Sequence, residues 1–182
     1  MTTIPTDETY LASVIRFTMK SMTTKTPVPF GALIVETATG KPLIKALNAV
    51  AAENDPSSHA ELRTVRKACK KLAKKGKGRS LKGYTMYSTC EPCAMCMANI
   101  LWSGLDRVVY GATIDDANRH CNQIKIPARE VSTRSDMPCI VDGPLLRDEA
   151  YALFTHPNML KVFEQWKSGP RTLKKAAKKG KA

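Results

Sequence analysis

The chain has 182 residues and a mass of 20.0 kDa, enough for one domain with a proper core, and its 43% hydrophobic and 25% charged residues are ordinary for a soluble globular protein. No apolar run approaches the roughly 20 residues a spanning helix needs, so no membrane partner is expected. The start MTTIPTDETY has neither the basic residues nor the apolar stretch of a secretory signal, so a cytoplasmic location is expected.

The first predicted element is a helix over 7–22, with Leu11, Val14, Ile15, Thr18, Met19 and Met22 at helical spacing, and TKTPVP breaks it. Phe30–Glu36 is rich in strand formers, Thr39-Gly40-Lys41 reads as a turn, and Pro42–Asn48 returns as an antiparallel strand. After the polar loop Glu53–Ser58 the pattern is helical to Lys75, with Leu62, Val65, Cys69 and Leu72 in one stripe and Gly76 and Gly78 as the stop. Tyr84–Thr89 is a short strand, Cys93–Trp102 a helix closed by Ser103-Gly104, and Arg107–Ala112 the next strand. Residues 113–138 show no clear period. Cys139–Val141 reads as a last strand, and Leu145–Phe154 and Met159–Trp166 as helices. Alternating strands and helices point to a sheet covered on both faces. The division expected is a domain over 1–166 and a basic, mobile tail over 167–182, whose low-complexity sequence has almost nothing to bury.

The formal net charge is +13, and it is local. Residues 63–82 hold ten basic side chains and residues 167–182 hold seven, with no acidic residue in either stretch. Without those seventeen, twelve basic residues face sixteen acidic ones. A basic face is most often solvated surface, but this helix and tail are where an RNA partner would bind.

Six cysteines stand at 69, 90, 93, 96, 121 and 139, without the spacing of a disulfide framework. His59-Ala60-Glu61 and Pro92-Cys93-Ala94-Met95-Cys96 each begin a predicted helix. Cys93 and Cys96 lie on the same side of a first turn, where the helix dipole favours thiolates, and His59 offers an imidazole. Three protein ligands leave one tetrahedral position for water, as a catalytic zinc requires. Glu61, two residues beyond His59, stands beside the metal as a proton carrier. Together these form the pattern H-x-E…P-C-x-x-C, the signature of zinc deaminases. Cys90, Cys93 and Cys96 also allow an iron–sulfur run, or a structural zinc with Cys90 as fourth ligand. Both leave Glu61 idle. Cys69, Cys121 and Cys139 read as buried thiols, and His120 and His156 as surface or structural residues.

Over about residues 7–155, the segments VPFGALIV (28–35), NDPSSHAELRTVRKACK (54–70) and STCEPCAMCMANILWSG (88–104) resemble the cytidine and deoxycytidylate deaminase superfamily, and within it the bacterial guanine deaminase branch. The resemblance implies a three-layer α/β/α sandwich around a five-stranded mixed sheet, a homodimer, and one Zn²⁺ per subunit held by His59, Cys93 and Cys96. It implies hydrolytic replacement of an exocyclic amine of a small nucleobase by a carbonyl, with Glu61 moving the proton. By the same resemblance Phe30 packs on the base, Asn48 hydrogen-bonds it, the Ala60 amide meets a ring carbonyl, Trp102 walls the pocket and Asp116 contacts the guanine edge. The stretch Cys121-Asn122-Gln123-Ile124 departs from that branch, which continues there with Gly-Phe-Asp and a further acidic residue. The lysine-rich end is also unlike the branch, in which the chain's end closes over a neighbouring pocket. Glu91–Cys96 and Arg107–Ala112 equally resemble tRNA adenosine deaminases, which act on a flipped-out adenine. Cytosine or a nucleoside is a further alternative substrate. A nucleic-acid-binding module with a structural zinc is the non-enzymatic alternative, and it predicts four closed ligands and no role for Glu61.

Overall fold

A computed structural model describes residues 4–76 and 80–168. The Thr6 hydroxyl accepts the Thr9 N–H at 3.4 Å and opens α1 (Asp7–Met19), whose first turn carries Asp7 and Glu8 against the helix dipole. Helix α1 stops earlier than the expected 22, because the chain tightens into a 3-10 turn over Lys20–Thr23 that buries Ser21 and Met22. Strands β1 (Gly31–Glu36) and β2 (Lys41–Leu47) form the expected hairpin. Its turn needs glycine at Gly40, where φ is +69° and a Cβ would lie 2.6 Å from Tyr10 Oη.

A short helix α2 (Val50–Glu53) lies between β2 and α3 (Ala60–Ala73), where the sequence pattern indicates no element; four residues are too few to display a helical period. Then follow β3 (Tyr84–Cys90), α4 (Ala94–Ser103), which ends on Gly104 in the left-handed region, and β4 (Arg107–Ala112). The unassigned stretch 113–138 contains two short helices, α5 (Ile114–Asn118) and α6 (Ala128–Thr133). Strand β5 (Ile140–Asp142) begins one residue later than expected, and α7 (Arg147–Thr155) and α8 (Pro157–Ser168) complete the described chain. Gly78, Lys77, Arg79 and the tail beyond 168 lie outside the described residues.

The sheet order is β2-β1-β3-β4-β5, antiparallel across β2/β1/β3 and parallel across β3/β4/β5. Alternation along the strands sends Leu33, Val35, Tyr87 and Val109 to one face, under α1, α7 and α8. Ala32, Ile34, Met86 and Val108 go to the other, under α3, α4 and α6. The result is the three-layer α/β/α sandwich with a five-stranded mixed sheet. Cys69, Cys121 and Cys139 sit at the rims of these cores and are half-buried rather than buried. Arg107 pins α1 to the sheet: it donates to both Asp7 oxygens at 2.9 and 2.8 Å and to Asp142 at 2.6 Å, while Tyr87 donates to Asp7 at 2.7 Å. Among the described residues no helix is long and apolar enough to cross a membrane.

Candidate metal centre

Strands β3 and β4 are parallel and end level with each other, Cys90 beside Ala112. The crevice beyond the carboxyl ends of parallel strands is where α/β sheets bind ligands. Two helices begin there. His59 and Cys93 occupy the N-cap positions of α3 and α4, each in extended conformation (φ −67°, ψ 154° and φ −65°, ψ 167°), and neither side chain caps its own helix. The two side chains face one another. Cys93 Sγ lies 3.7 Å from His59 Nδ1, and Cys96 Sγ 3.5 Å from the same nitrogen. The three donor atoms all fall within 4.8 Å of one another. A tetrahedral ion with bonds of about 2.3 Å to sulfur and 2.0–2.1 Å to nitrogen sets a sulfur and a nitrogen roughly 3.5 Å apart, so both sulfur–nitrogen distances suit zinc.

The electrostatics agree. The hydrogen bond from Cys96, with His59 adding to it, holds the Cys93 thiol down to about 4 against the cost of burial. That same bond, and then burial, drive the Cys96 thiol far up. One thiolate therefore forms readily, at the positive ends of two helices. Cys90 is turned away, its Sγ 3.7 Å from the Thr113 carbonyl, and burial pushes its thiol well up. Among the described residues, His59, Cys93 and Cys96 are the one group able to hold a metal. An all-cysteine cluster and a fourth cysteine ligand are thereby removed as readings.

Glu61, in the first turn of α3, is 5% exposed and its Oε1 lies 3.5 Å from Ser88 Oγ. Burial, and after it the charge of Cys93, push its carboxyl up to about 7, where a group both takes and gives a proton at neutral pH. Asn48 and Phe30 are neighbours, since the Asn48 N–H donates to the Phe30 carbonyl at 3.0 Å. The Phe30 ring meets Phe154 edge-on at 5.3 Å. Ala60 is the first residue of α3, so its N–H has no intrahelical acceptor.

The two remaining expected pocket residues lie at opposite extremes of exposure. Trp102 is 79% exposed on the outer face of α4. Asp116 is 1% exposed and already committed: Arg147 donates to both its oxygens at 2.8 Å, and it closes a capping box with Thr113. The Arg147 guanidinium holds that carboxyl far below the usual range.

Residues that carry no metal or proton also hold the site together. Glu91 accepts the Ile114 N–H at 3.1 Å and the Ala128 N–H at 2.9 Å, tying the cysteine loop to the starts of α5 and α6. Its place inside Glu91-Pro92-Cys93 was the available signal. Arg63 reaches the Leu47 carbonyl and binds Glu53 at 3.1 and 2.8 Å, Glu53 accepts the Ser58 hydroxyl, and the loop between Asn48 and His59 is thus bracketed. One of the ten basic residues is thereby structural. His120 is structural too, its Nε2 3.0 Å from Tyr151 Oη and its ring stacked on Phe163.

A family model, the cytidine and deoxycytidylate deaminase zinc-binding region, matches residues 4–112 and so contains every one of these metal-site residues. The chain belongs to this family. It is a zinc-dependent nucleobase or nucleoside deaminase, and zinc is its cofactor. Among relatives of this deaminase, the guanine deaminase of Bacillus subtilis is 36% identical over 110 residues, covering 60% of this chain and 67% of that one. The tRNA-specific adenosine deaminase of Rickettsia bellii is 39% identical over 89 residues, covering 49% and 59%. The structure of the guanine deaminase from Nitrosomonas europaea superposes with a TM-score of 0.74 at 21% identity, covering 90% of this chain and 87% of that one, a likeness of fold.

Proposed function

We propose that this deaminase acts on a free nucleobase, guanine or a related purine, with Glu61 as its proton carrier, and that it works as a cytoplasmic homodimer. The observation that carries the reading is the buried carboxyl of Glu61, 5% exposed, beside a group of three donors, one fewer than the four ligands a tetrahedral zinc takes. Zinc bound there supplies a Lewis acid and acidifies a water toward neutrality. Glu61 would take one proton from the water and give it to a ring nitrogen, then take the second from the new hydroxyl and give it to the departing amine, so that the water's oxygen becomes the carbonyl and the amine leaves as ammonia. The Phe30 ring packs on the base, while the Asn48 side chain and the Ala60 N–H fix its edge. The likeness to the Bacillus guanine deaminase, over 60% of the chain against 49% for the Rickettsia adenosine deaminase, favours a free base over an adenine held in tRNA. In this reading Asp116 meets the guanine edge only by giving up an Arg147 contact, and Trp102 with Met95 offers its exposed face of α4 to a second copy.

The second reading, a flipped-out adenine in tRNA, draws on the basic face of α3. At about 100° per residue, Lys67, Lys70 and Lys74 lie opposite Glu61, while Val65, Ala68 and Leu72 share its buried side. Lysines on that face cannot line the base pocket. They would touch only distant phosphates of a large substrate, together with the tail.

Ammonia release from zinc-loaded protein on a panel of purines, pyrimidines, pterins and transcribed tRNA decides between these readings. Guanine turning over fastest supports the proposal. Turnover confined to tRNA, lost with salt and with truncation after residue 168, replaces it with the second reading. No turnover on any member overturns both.

A further inference from the structure

The pairing of β1 with β3 stops at Ala32 and Ser88, one residue short of the site. Beyond that point a side chain takes over from the ladder. The Thr89 hydroxyl accepts the Gly31 N–H at 3.0 Å and donates to the Pro29 carbonyl at 2.9 Å, so one buried group grips the residues on both sides of Phe30. Thr89 is fully buried. On the opposite side Gly31 lies so close to α1 that a Cβ there would run into Thr18 Oγ1, which leaves the backbone no room to retreat. The Phe30 carbonyl in turn accepts the Asn48 N–H at 3.0 Å, and Asn48 Oδ1 accepts the Val50 N–H at 3.0 Å. The Asn48 amide therefore directs its NH₂ group away from its own turn. Thr89 is also separated from Cys93 by only Cys90, Glu91 and Pro92, so the hydroxyl that sets Phe30 sits on the strand that delivers the metal loop.

We infer that Thr89 is a positioning residue for the substrate: its hydroxyl holds Phe30, and through the Phe30 carbonyl Asn48, at a fixed place relative to the cysteine loop. The inference rests on the reading of Phe30 and Asn48 as base-contacting residues. A buried hydroxyl that bridges a donor and an acceptor is nearly rigid, and losing it frees both partners at once. What moves is the wall that grips the base, while the metal donors and Glu61 stay on their own helices. Binding should suffer more than the chemical step.

The test is a KM and kcat split on the zinc-loaded protein with guanine and with cytosine, for Thr89→Val, Thr89→Ser and Phe30→Leu. Thr89→Val keeps the shape and removes the hydroxyl. The expected result is a KM raised about tenfold, kcat within about threefold of the parent and zinc still at one per chain, with Thr89→Ser restoring KM to within about twofold. Adding Thr89→Val to Phe30→Leu should raise KM by a smaller factor than Thr89→Val does in the parent, because the Phe30 contact is already lost. A lowered melting temperature with unchanged KM means a purely structural hydroxyl and overturns the inference, as does a serine that fails to restore KM. Should Thr89→Val fold poorly, Thr89→Ala, which leaves space for a water between Pro29 and Gly31, must show the same split or the inference falls. If Phe30→Leu alone leaves KM unchanged, the base-contacting reading of Phe30 is what fails. If Phe30→Leu raises KM and Thr89→Val does not, only the role of Thr89 is lost.

Discussion

Replacing Glu91 by glutamine exchanges one oxygen for an NH₂ and should loosen the cysteine loop from the starts of α5 and α6. Its two oxygens accept the Ile114 and Ala128 N–H groups at 3.1 and 2.9 Å, each at the start of a different helix. A glutamine side chain offers one carbonyl oxygen and one NH₂, so one of the two backbone donors must face another donor. Leaving a part-buried N–H unsatisfied costs about 1–3 kcal/mol, and the surviving bond, no longer to a charged acceptor, weakens by about 1 kcal/mol. Since Glu91 is half-buried and water can partly replace the lost acceptor, about 2–3 kcal/mol is the expected total. For a chain of this length that lowers the melting temperature by roughly 4–12 °C. Calorimetry of zinc-loaded parent and variant, at one free zinc concentration, measures this directly. Glu91 also adjoins Pro92 and Cys93, so zinc transfer to a chromophoric chelator should be faster in the variant. A melting temperature within about 1 °C of the parent, together with an unchanged transfer rate, would refute the claim that Glu91 bolts the cysteine loop to α5 and α6.

Glu61→Gln should keep zinc at one per chain while turnover falls by about 10²–10⁴-fold, and a variant retaining most of its activity would remove Glu61 from the proton path. Cys96→Ser should abolish tight zinc binding and Cys90→Ala should leave it intact, as measured by metal content after dialysis; the reverse order would restore Cys90 as a ligand. Charge reversal at Lys67, Lys70 and Lys74 together should leave KM and kcat for a small base within about twofold, because that face lies opposite Glu61. Asp7 is the pH-sensitive joint. Hydrogen bonds from Arg107 first, against burial, hold its carboxyl below 3.8, so its stabilisation is complete above the unfolded value and is lost as pH falls through the folded one. Asp7→Asn should therefore melt lower than the parent at pH 7 and converge with it as both are taken down toward pH 2. A gap that persists unchanged at low pH would mean that packing, not charge, is what Asp7 contributes.

Residue order alone identified the metal ligands and most of the framework. His59 with Glu61, and Cys93 with Cys96, are legible because each pair is two or three residues apart at a helix start; that the two pairs meet, 34 residues apart, is decided by the sheet that ends beside both helix starts. The strands β1 to β4 and helices α1, α3 and α4 are legible because each is long enough for its period to show. Helices α2, α5 and α6 have four to six residues, and their existence depends on tertiary partners: Glu91 for the starts of α5 and α6, Arg147 and Thr113 for Asp116. Glu91 and Arg147 stand 23 to 37 residues along the chain from the groups they hold, beyond any local pattern. The same holds at the pocket. Charge counting sees a basic helix but not that its lysines point away from Glu61, and a threonine before a cysteine motif looks like any strand residue. Only folding shows that Thr89, 58 residues from Gly31, holds the backbone around Phe30. Chemistry carried by residues close in sequence could be read directly; the shape of the cavity around it is made by contacts between distant residues, and these the tertiary structure decides.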